Sequence, residues 1–365
     1  MALEFAERIG RIPVYPAADG YALDESVALL ASNESPFKPP PAVLEAARNA
    51  LEGANRYPDP SCSRLRAALA DRYGVPAAQI AVGNGSCDVL LAAGEALLEP
   101  GAELVYAWPA FSMYPHLAAA SGATAISVPL DSEHRHDLER MAGELTAATR
   151  MLLVCNPNNP SSTAVPLRQI DSLLERVPRH VCVIVDEAYC EFSTLEDPDS
   201  SLALLARHPN LMLLRTFSKV YGLCGLRIVF GLCGSDQLPE AVDQVRQPFY
   251  ANVAAQAAAT EALRHQDEVA IRVERTIAAR LRLEEGLRDL GLSPADSQAN
   301  FVWFDLPAGA GGEPADEAPV VAGLAERKVL VRAGSALGRA GALRVTVGTE
   351  SENERFLTGL RELLS

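Results

Sequence analysis

Short apolar runs that alternate with longer amphipathic stretches constrain the fold more than any other feature of this sequence. Between residues 80 and 230 these runs are near-continuous in Val, Ile and Leu, which is typical of strands buried on both faces of a sheet. The predicted strands are Ile80–Val82, Leu104–Ala107, Met151–Cys155, Val181–Val185, Leu211–Leu214 and Ile228–Phe230. Helices are predicted between them, for example over Ser61–Tyr73, Cys87–Leu98 and Leu167–Arg176. This alternation predicts an α/β domain with a mostly parallel central sheet flanked by helices.

The pattern changes after about residue 250, where a second and smaller α+β unit is predicted. Asn252–Leu290 is rich in Ala, Arg, Glu and Leu and is predicted to be mostly helical. Strands are predicted at Phe301–Phe304, Val329–Val331 and Leu343–Val347. A chain of 365 residues is long enough for about two domains. We expect an N-terminal arm that contributes to the small domain (1–35), a large domain (36–270) and a small C-terminal domain (271–365).

The charge balance and the cysteines limit the partners and the compartment. The formal net charge of −15 argues against a broad basic surface for nucleic acid or anionic lipid. No run of about 18 apolar residues is present, so we expect no membrane span. The seven cysteines are scattered and form no CxxC pair, which favours free thiols in a reducing cytoplasm. No metal-binding pattern is found, since the histidines at 134 and 136 lie in a polar loop.

The residues that follow the predicted strands carry the candidate chemistry, because ligands bind beyond the carboxyl ends of parallel strands. The chain has three lysines, at 38, 219 and 328, and only Lys219 directly follows a buried strand. Its amine could form a Schiff base, or it could be a solvated lysine at a helix start. Asp186 ends an apolar strand, where burial of an unpaired carboxylate is costly. The carboxylate could be stabilised by a bound cation, by capping a helix N-terminus or by a structural ion pair. Residues 83–86, Gly-Asn-Gly-Ser, precede a helix and could bind a phosphate or merely begin that helix.

Four motifs in one order resemble those of fold-type I pyridoxal-phosphate (PLP) aminotransferases. They are Asn-Pro-Asn-Asn-Pro at 156–160, Asp-Glu-Ala-Tyr at 186–189, Ser-Lys at 218–219 and Gly-Leu-Arg at 225–227. Further stretches resemble the histidinol-phosphate aminotransferase group, whose near relatives act on aromatic amino acids. These stretches lie at 31–37, 56–59, 83–86, 246–249 and 343–348.

The resemblance implies roles for individual residues around the cofactor. Lys219 would carry PLP as a Schiff base and move a proton, and Asp186 would keep the pyridine nitrogen protonated. Asn159 and Tyr189 would hydrogen-bond the ring hydroxyl, and Phe111 would stack on the ring. The cofactor phosphate would be held by Gly85, Ser86, Cys87, Thr216, Ser218 and Arg227.

It also implies a partner subunit and a substrate site. Tyr57 would reach the phosphate of the other subunit, so we expect a homodimer with shared active sites. Arg344 and Arg332 would hold anionic ends of the substrate, with Tyr15 and Asn33 covering it. The sequence departs from the family pattern at Ser161-Ser162, Val229, Phe111 and Cys87, which affects the expected substrate more than the expected reaction.

The implied reaction is transfer of an amino group between a small-molecule donor and a 2-oxo acid. The expected pair is histidinol phosphate and 2-oxoglutarate, in ping-pong chemistry with glutamate as the second product. The alternative substrate is an aromatic amino acid such as phenylalanine. A PLP decarboxylase of a phosphorylated amino acid and a non-enzymatic PLP-binding regulator are rival classes on the same fold.

Overall fold

The computed structural model describes residues 3–5, 9, 10, 12, 26–308 and 313–364. Its strands in chain order are β1 (Ala28–Leu29), β2 (Ile80–Gly83), β3 (Glu103–Trp108), β4 (Thr124–Pro129), β5 (Thr149–Cys155), β6 (Cys182–Asp186), β7 (Leu211–Thr216), β8 (Val229–Cys233), β9 (Phe301–Asp305), β10 (Val329–Leu330), β11 (Arg332–Ala333) and β12 (Ala342–Thr346). The six strands predicted between residues 80 and 230 all form, with bounds that shift by up to three residues.

The central sheet contains seven strands in the order β2-β8-β7-β6-β5-β3-β4. Only β8 runs against its two neighbours, so the sheet is mostly parallel as predicted. The edge strand β4 was not predicted from the sequence. Only Val128 of its six residues is buried, because an edge strand with one open face lacks the continuous apolar run of the inner strands.

Helices cover both faces of this sheet, and others pack in the C-terminal part of the chain. They are α1 (Pro41–Leu51), α2 (Ser63–Tyr73), α3 (Ser86–Leu97), α4 (Met113–Ser121), α5 (Leu138–Gly143), α6 (Leu167–Arg176), α7 (Leu202–Leu205), α8 (Gln237–Val245), α9 (Val253–Ala262), α10 (Gln266–Asp289), α11 (Ala318–Glu326) and α12 (Glu350–Leu364). Alternate residues of β6 face opposite sides: Val183 and Val185 pack into one hydrophobic cluster, and Cys182 and Ile184 into another. This two-sided burial explains the continuous apolar runs in the sequence.

A third hydrophobic cluster joins the N-terminal strand to the C-terminal part of the chain. There β1 pairs with β10 in parallel, and β11, β12 and β9 form an antiparallel sheet. The prediction of one strand over Val329–Val331 is wrong, because the chain changes sheets at Val331 and forms β10 and β11 instead. The predicted helical stretch Asn252–Leu290 is two helices, α9 and α10, that are separated at Leu263–His265.

The proposed boundary between residues 270 and 271 falls inside α10, and the domain limits stay a prediction.

Within residues 26–308 and 313–364, no helix combines the length and the apolar character needed to cross a bilayer.

Candidate functional site

The predicted residues of three adjacent strands meet at one edge of the central sheet. Strands β5, β6 and β7 are parallel neighbours, and Cys155 lies opposite Asp186, which lies opposite Leu214. Their carboxyl ends therefore lie side by side. Asn159 follows β5, Asp186 is the last residue of β6, and Lys219 follows β7. The sheet itself thus brings together an amide, a carboxylate and an amine that are far apart in sequence.

The Asp186 carboxylate is almost fully buried and lacks a hydrogen-bonded cation among the described residues. Its Oδ2 accepts a hydrogen bond from the Tyr114 hydroxyl at 3.2 Å, and its Oδ1 accepts one from the Ala188 N–H at 3.2 Å. Burial raises the pKa of Asp186 to about 6, and these two hydrogen bonds oppose that rise. A cation bound next to this carboxylate would stabilise its anionic form.

The Lys219 amine is half-buried and lies close to two other site residues. Its Nζ donates to the backbone carbonyl of Ser32 at 3.4 Å and lies 5.5 Å from the centre of the Tyr189 ring. Burial, together with the positive charge of Arg344, lowers the pKa of Lys219 to about 8. About a tenth of the amine is therefore neutral at pH 7, far more than for an ordinary lysine, and the neutral form is the one that acts as a nucleophile or a base.

Tyr189 and Asn159 connect this edge to the smaller sheet. The Tyr189 hydroxyl accepts a hydrogen bond from Asn33 Nδ2 at 3.1 Å, and the Tyr189 ring meets Phe301 edge-on at 5.0 Å. Burial raises the pKa of Tyr189, while the charge of Arg344 and the Asn33 hydrogen bond oppose that rise. Arg344, on β12, donates to Asn159 Oδ1, and its second terminal nitrogen donates to the Ala31 carbonyl at 2.6 Å.

An anion-binding cup forms where β2 leads into α3. Gly85 has a φ of +86° and precedes the first helical residues, Ser86 and Cys87. This backbone conformation requires glycine, and a Cβ at Gly85 would also displace the Arg227 guanidinium from the cup. Because β8 is reversed, its start brings Arg227 to the same edge as the ends of the parallel strands. Backbone N–H groups, a helix N-terminus and a guanidinium thus face one region, which suits a phosphate.

The other predicted phosphate ligands, Thr216 and Ser218, lie beside this cup on the β7 side. The Ser218 N–H donates to Thr216 Oγ1 at 3.0 Å, which tightens the turn before Lys219. Phe111 follows β3 and packs edge-on against Tyr114, with 5.9 Å between the ring centres.

Two arginines of the smaller sheet lie directly opposite each other. Arg332 on β11 is the cross-strand partner of Arg344 on β12. Opposite residues in an antiparallel pair point to the same face and bring their Cβ atoms to about 5 Å. Two like charges in this position repel, so an anion between them would be stabilising.

Of the predicted residues, Tyr57 lies at the surface and not among the buried residues of this site. The Tyr57 side chain is 82% exposed and stacks on Phe249 at 4.4 Å, away from the other site residues. Tyr15 lies outside the described residues. Asn33, predicted to cover a substrate, is instead buried with its amide on the Tyr189 hydroxyl.

Sequence reasoning missed several residues that support the site. Tyr114 lies in α4, and no pattern in the sequence indicates that its hydroxyl reaches Asp186. Glu187 and Arg215 form a buried ion pair at 2.8 Å that ties the end of β6 to β7. Asn158 Nδ2 donates to the Pro109 carbonyl at 3.1 Å, which fixes the loop of Asn159 to the loop of Phe111.

Comparisons with known proteins agree with this arrangement. The profile of the family described as "Aminotransferase class I and II" matches residues 25–360. A protein of Thermobifida fusca named aromatic amino acid aminotransferase is 42% identical, over 96% of this chain and 94% of its own length. A protein of Pseudomonas fluorescens named histidinol-phosphate aminotransferase 2 is 41% identical, over 93% of this chain and 90% of its own length.

Solved structures show the same fold. The histidinol-phosphate aminotransferase of Sinorhizobium meliloti, solved in complex with pyridoxal 5'-phosphate, superposes with a TM-score of 0.87 at 26% identity. The match covers 100% of this chain and 98% of that structure. The aspartate aminotransferase of Thermus thermophilus with maleate superposes with a TM-score of 0.83 at 25% identity, over 99% of this chain and all of that one.

Proposed function

Since this chain belongs to the class I and II aminotransferase family, we propose that it transfers an amino group between histidinol phosphate and 2-oxoglutarate. The chain is a PLP-dependent aminotransferase, as the family and its relatives establish. The substrate pair and the role of each residue are the proposal. The pair of arginines on facing strands, Arg332 and Arg344, supports substrates with an anionic end, and histidinol phosphate, 2-oxoglutarate and the alternative aromatic amino acids all have one.

The residues at the sheet edge fit PLP. When bound, PLP supplies a cationic ring that withdraws electrons from the substrate's Cα. Asp186 is the buried carboxylate that needs such a cation, and it would keep the ring nitrogen protonated. Arg227 and the backbone N–H groups at Gly85, Ser86 and Cys87 would hold the phosphate, together with Thr216 and Ser218. Phe111 would pack on the ring face.

Lys219 would bind the cofactor covalently and carry the proton of the reaction. Released from the cofactor by the substrate's amine, Lys219 would take the proton from the substrate's Cα and deliver it to the cofactor's carbonyl carbon, and its pKa, lowered to about 8, favours the neutral form that this role requires. Asn159 and Tyr189 would each donate a hydrogen bond to the oxygen of the cofactor's ring hydroxyl. Asn159 also accepts from Arg344, so a carboxylate bound at Arg344 would be placed beside the ring.

We also propose a homodimer in which Tyr57 completes the partner's phosphate site. Leu51, Tyr57 and Phe249 are large apolar side chains that lie exposed, and the rings of Tyr57 and Phe249 stack on each other. A groove of about 470 Å³ between α1 and α9 lies nearby, lined by Ala46, Asn49, Ala50, Gly53, Asp59, Arg64, Val253, Gln256, Ala257, Thr260, Glu261 and Arg264. A second copy of this chain is the partner that would cover both features.

A hybrid dimer tests this shared site. Mixed subunits carrying Lys219→Ala on one chain and Tyr57→Ala on the other should hold one intact site and regain up to about a quarter to a half of the activity. Light scattering that shows a monomer with full activity would contradict the proposal.

A cytoplasmic location is proposed as well, on the basis that all seven cysteines are free thiols.

Covalent trapping tests the cofactor role. Borohydride reduction of the holoprotein should leave a phosphopyridoxyl group on Nζ of Lys219, which mass spectrometry would find on the peptide that contains this residue. Lys219→Ala should abolish the adduct, although Lys38 and Lys328 remain. An adduct on either of these lysines in the wild-type protein would overturn the assignment.

The second candidate substrate is an aromatic amino acid such as phenylalanine, which the name of the Thermobifida fusca relative favours. Steady-state kinetics with 2-oxoglutarate should compare histidinol phosphate and phenylalanine. A kcat/KM more than tenfold higher for phenylalanine, about 1.4 kcal/mol in transition-state binding, would decide for the second candidate. Release of carbon dioxide without an oxo-acid acceptor would indicate a decarboxylase instead.

A further inference from the structure

Asn33 lies at the centre of a buried hydrogen-bond network between Tyr189 and the smaller sheet. It is 1% exposed, and Thr346 and Asn300, which contact it, are each 2% exposed. The Asn33 N–H donates to Thr346 Oγ1 at 2.9 Å, and the Asn33 carbonyl accepts from Asn300 Nδ2 at 3.2 Å. Its side-chain Nδ2 donates to the Tyr189 hydroxyl at 3.1 Å. The amide nitrogen of Asn33 is thus paired with Tyr189, and its amide oxygen faces the Thr346 hydroxyl.

The hydroxyl of Thr346 decides which end of the Asn33 amide faces Tyr189. Thr346 Oγ1 accepts the Asn33 N–H and donates its own hydrogen to Asn33 Oδ1, with 3.3 Å between the two oxygen atoms. A hydrogen bond from this donor to Oδ1 favours the orientation in which Nδ2 points the other way, toward Tyr189. In the orientation that the structure shows, the Thr346 hydrogen is used by Asn33 Oδ1 and the Tyr189 oxygen accepts from Nδ2. A flipped amide would instead take the Tyr189 hydrogen onto Oδ1, so the orientation of Asn33 determines where that hydrogen goes.

The amide of Asn33 in turn decides where the Tyr189 hydrogen points. An amide nitrogen only donates, so the Tyr189 oxygen acts as acceptor toward Asn33. The phenol's single hydrogen must be donated elsewhere. Building on the proposed role of Tyr189, we infer that Asn33 is a positioning residue that directs this hydrogen onto the ring oxygen of the cofactor, and that Thr346 holds Asn33 for this task.

The same face of β12 carries the proposed carboxylate ligand. Arg344 and Thr346 are two residues apart on this strand, so their side chains project to one side. Arg344 bonds the carbonyl of Ala31, and Thr346 bonds Asn33. One strand therefore fixes both the segment at 31–33 and the guanidinium, which connects the substrate end of the site to the Tyr189 hydroxyl.

The backbone at Asn33 determines the variant that tests this role. Its φ of +55° lies in the left-handed region, where Asn, Asp and Gly are tolerated and Ala is strained. Asn33→Gly removes the amide and keeps this backbone available. Asn33→Asp keeps the shape but replaces the donor with an acceptor, which turns the Tyr189 hydrogen away from the cofactor. Thr346→Val keeps the shape of the threonine and removes its hydroxyl.

The experiment is a pH titration of the visible absorbance of holoprotein, with Tyr189→Phe as the reference. A hydrogen bond donated to the ring oxygen favours its anionic form, so its loss should raise the midpoint of the titration. We expect Asn33→Gly to raise the midpoint by about half to one pH unit, in the direction of Tyr189→Phe. Asn33→Asp should raise it at least as far, and Thr346→Val less.

Two further variants separate positioning from general loss of stability. Adding Asn33→Gly to Tyr189→Phe should move the midpoint no further than Tyr189→Phe does alone. Asn353 is also a buried asparagine, and it bonds the backbone of Gly348 in the same unit without touching Asn33. Asn353→Ala should lower the melting temperature and leave the midpoint unchanged.

The outcomes distinguish this inference from the proposed function. If Asn33→Gly and Thr346→Val both titrate with the same midpoint as the wild type, the role of Asn33 is overturned and the proposed function is unaffected. A wild-type protein that shows no PLP absorbance would refute the proposed roles at the site instead. If Asn33→Gly does not fold, the midpoint of Thr346→Val alone decides.

Discussion

Removal of the Tyr114 hydroxyl should weaken the binding of PLP without disturbing the fold. Tyr114→Phe deletes the donor that lies 3.2 Å from Asp186 Oδ2, while the buried ring keeps its edge-on contact with Phe111. Hydrogen bonds to charged groups contribute about 1.5–3 kcal/mol, and the length of this bond favours the lower value. The Asp186 carboxylate should therefore be less stable as an anion, and its attraction for a cationic ring should fall.

A loss of about 1.5 kcal/mol corresponds to roughly tenfold weaker binding. The assay is a titration of cofactor-free protein with PLP, followed by absorbance or equilibrium dialysis, at pH 7.5. Tyr106→Phe is the matched control, since Tyr106 is a buried tyrosine that packs 6.1 Å from the Tyr114 ring and is not bonded to Asp186. Equal dissociation constants for wild type and Tyr114→Phe, with both variants folded, would refute the reasoning.

Three other perturbations follow from the same geometry. Burial raises the pKa of Asp186 from 3.8 to about 6, so its contribution to the stability of cofactor-free protein is present below about pH 4 and lost as the pH rises through about 6. Urea unfolding should accordingly show that Asp186→Asn gains stability relative to wild type between pH 4 and pH 7, and parallel pH curves would contradict this. Glu187→Gln breaks the buried pair with Arg215 and should lower the free energy of unfolding by about 3 kcal/mol. Glu139→Gln, in the exposed pair with Arg176, should cost less than about 1 kcal/mol, and similar values for the two would show that burial does not matter here. Arg344→Ala should lower kcat/KM for 2-oxoglutarate by about 30-fold or more, and Arg344→Lys by less, because lysine keeps the charge and loses the paired donors. Unchanged kinetics in Arg344→Ala would remove Arg344 from the substrate site.

The sequence alone was sufficient for the parts of the fold that depend on burial and chain order. Strands β5, β6 and β7 have both faces covered, so their residues are apolar without interruption, and this signal is visible in one sequence. Since parallel strands end at one edge, the residues that follow them could be expected to meet. Asn159, Asp186 and Lys219 do so because of this rule, which requires no knowledge of distant contacts.

The tertiary structure decided the features that depend on pairing across long stretches of chain. The reversal of β8, which brings Arg227 to the cup, has no local signature, and neither does the change of sheets at Val331. Asn33 reaches Tyr189 across 156 positions and Thr346 across 313, through a hydrogen-bond network that only the packed core defines. A local pattern encodes which face of a segment is apolar. It does not encode which buried polar group will meet which, because that choice is made by the geometry of the whole chain when water is excluded.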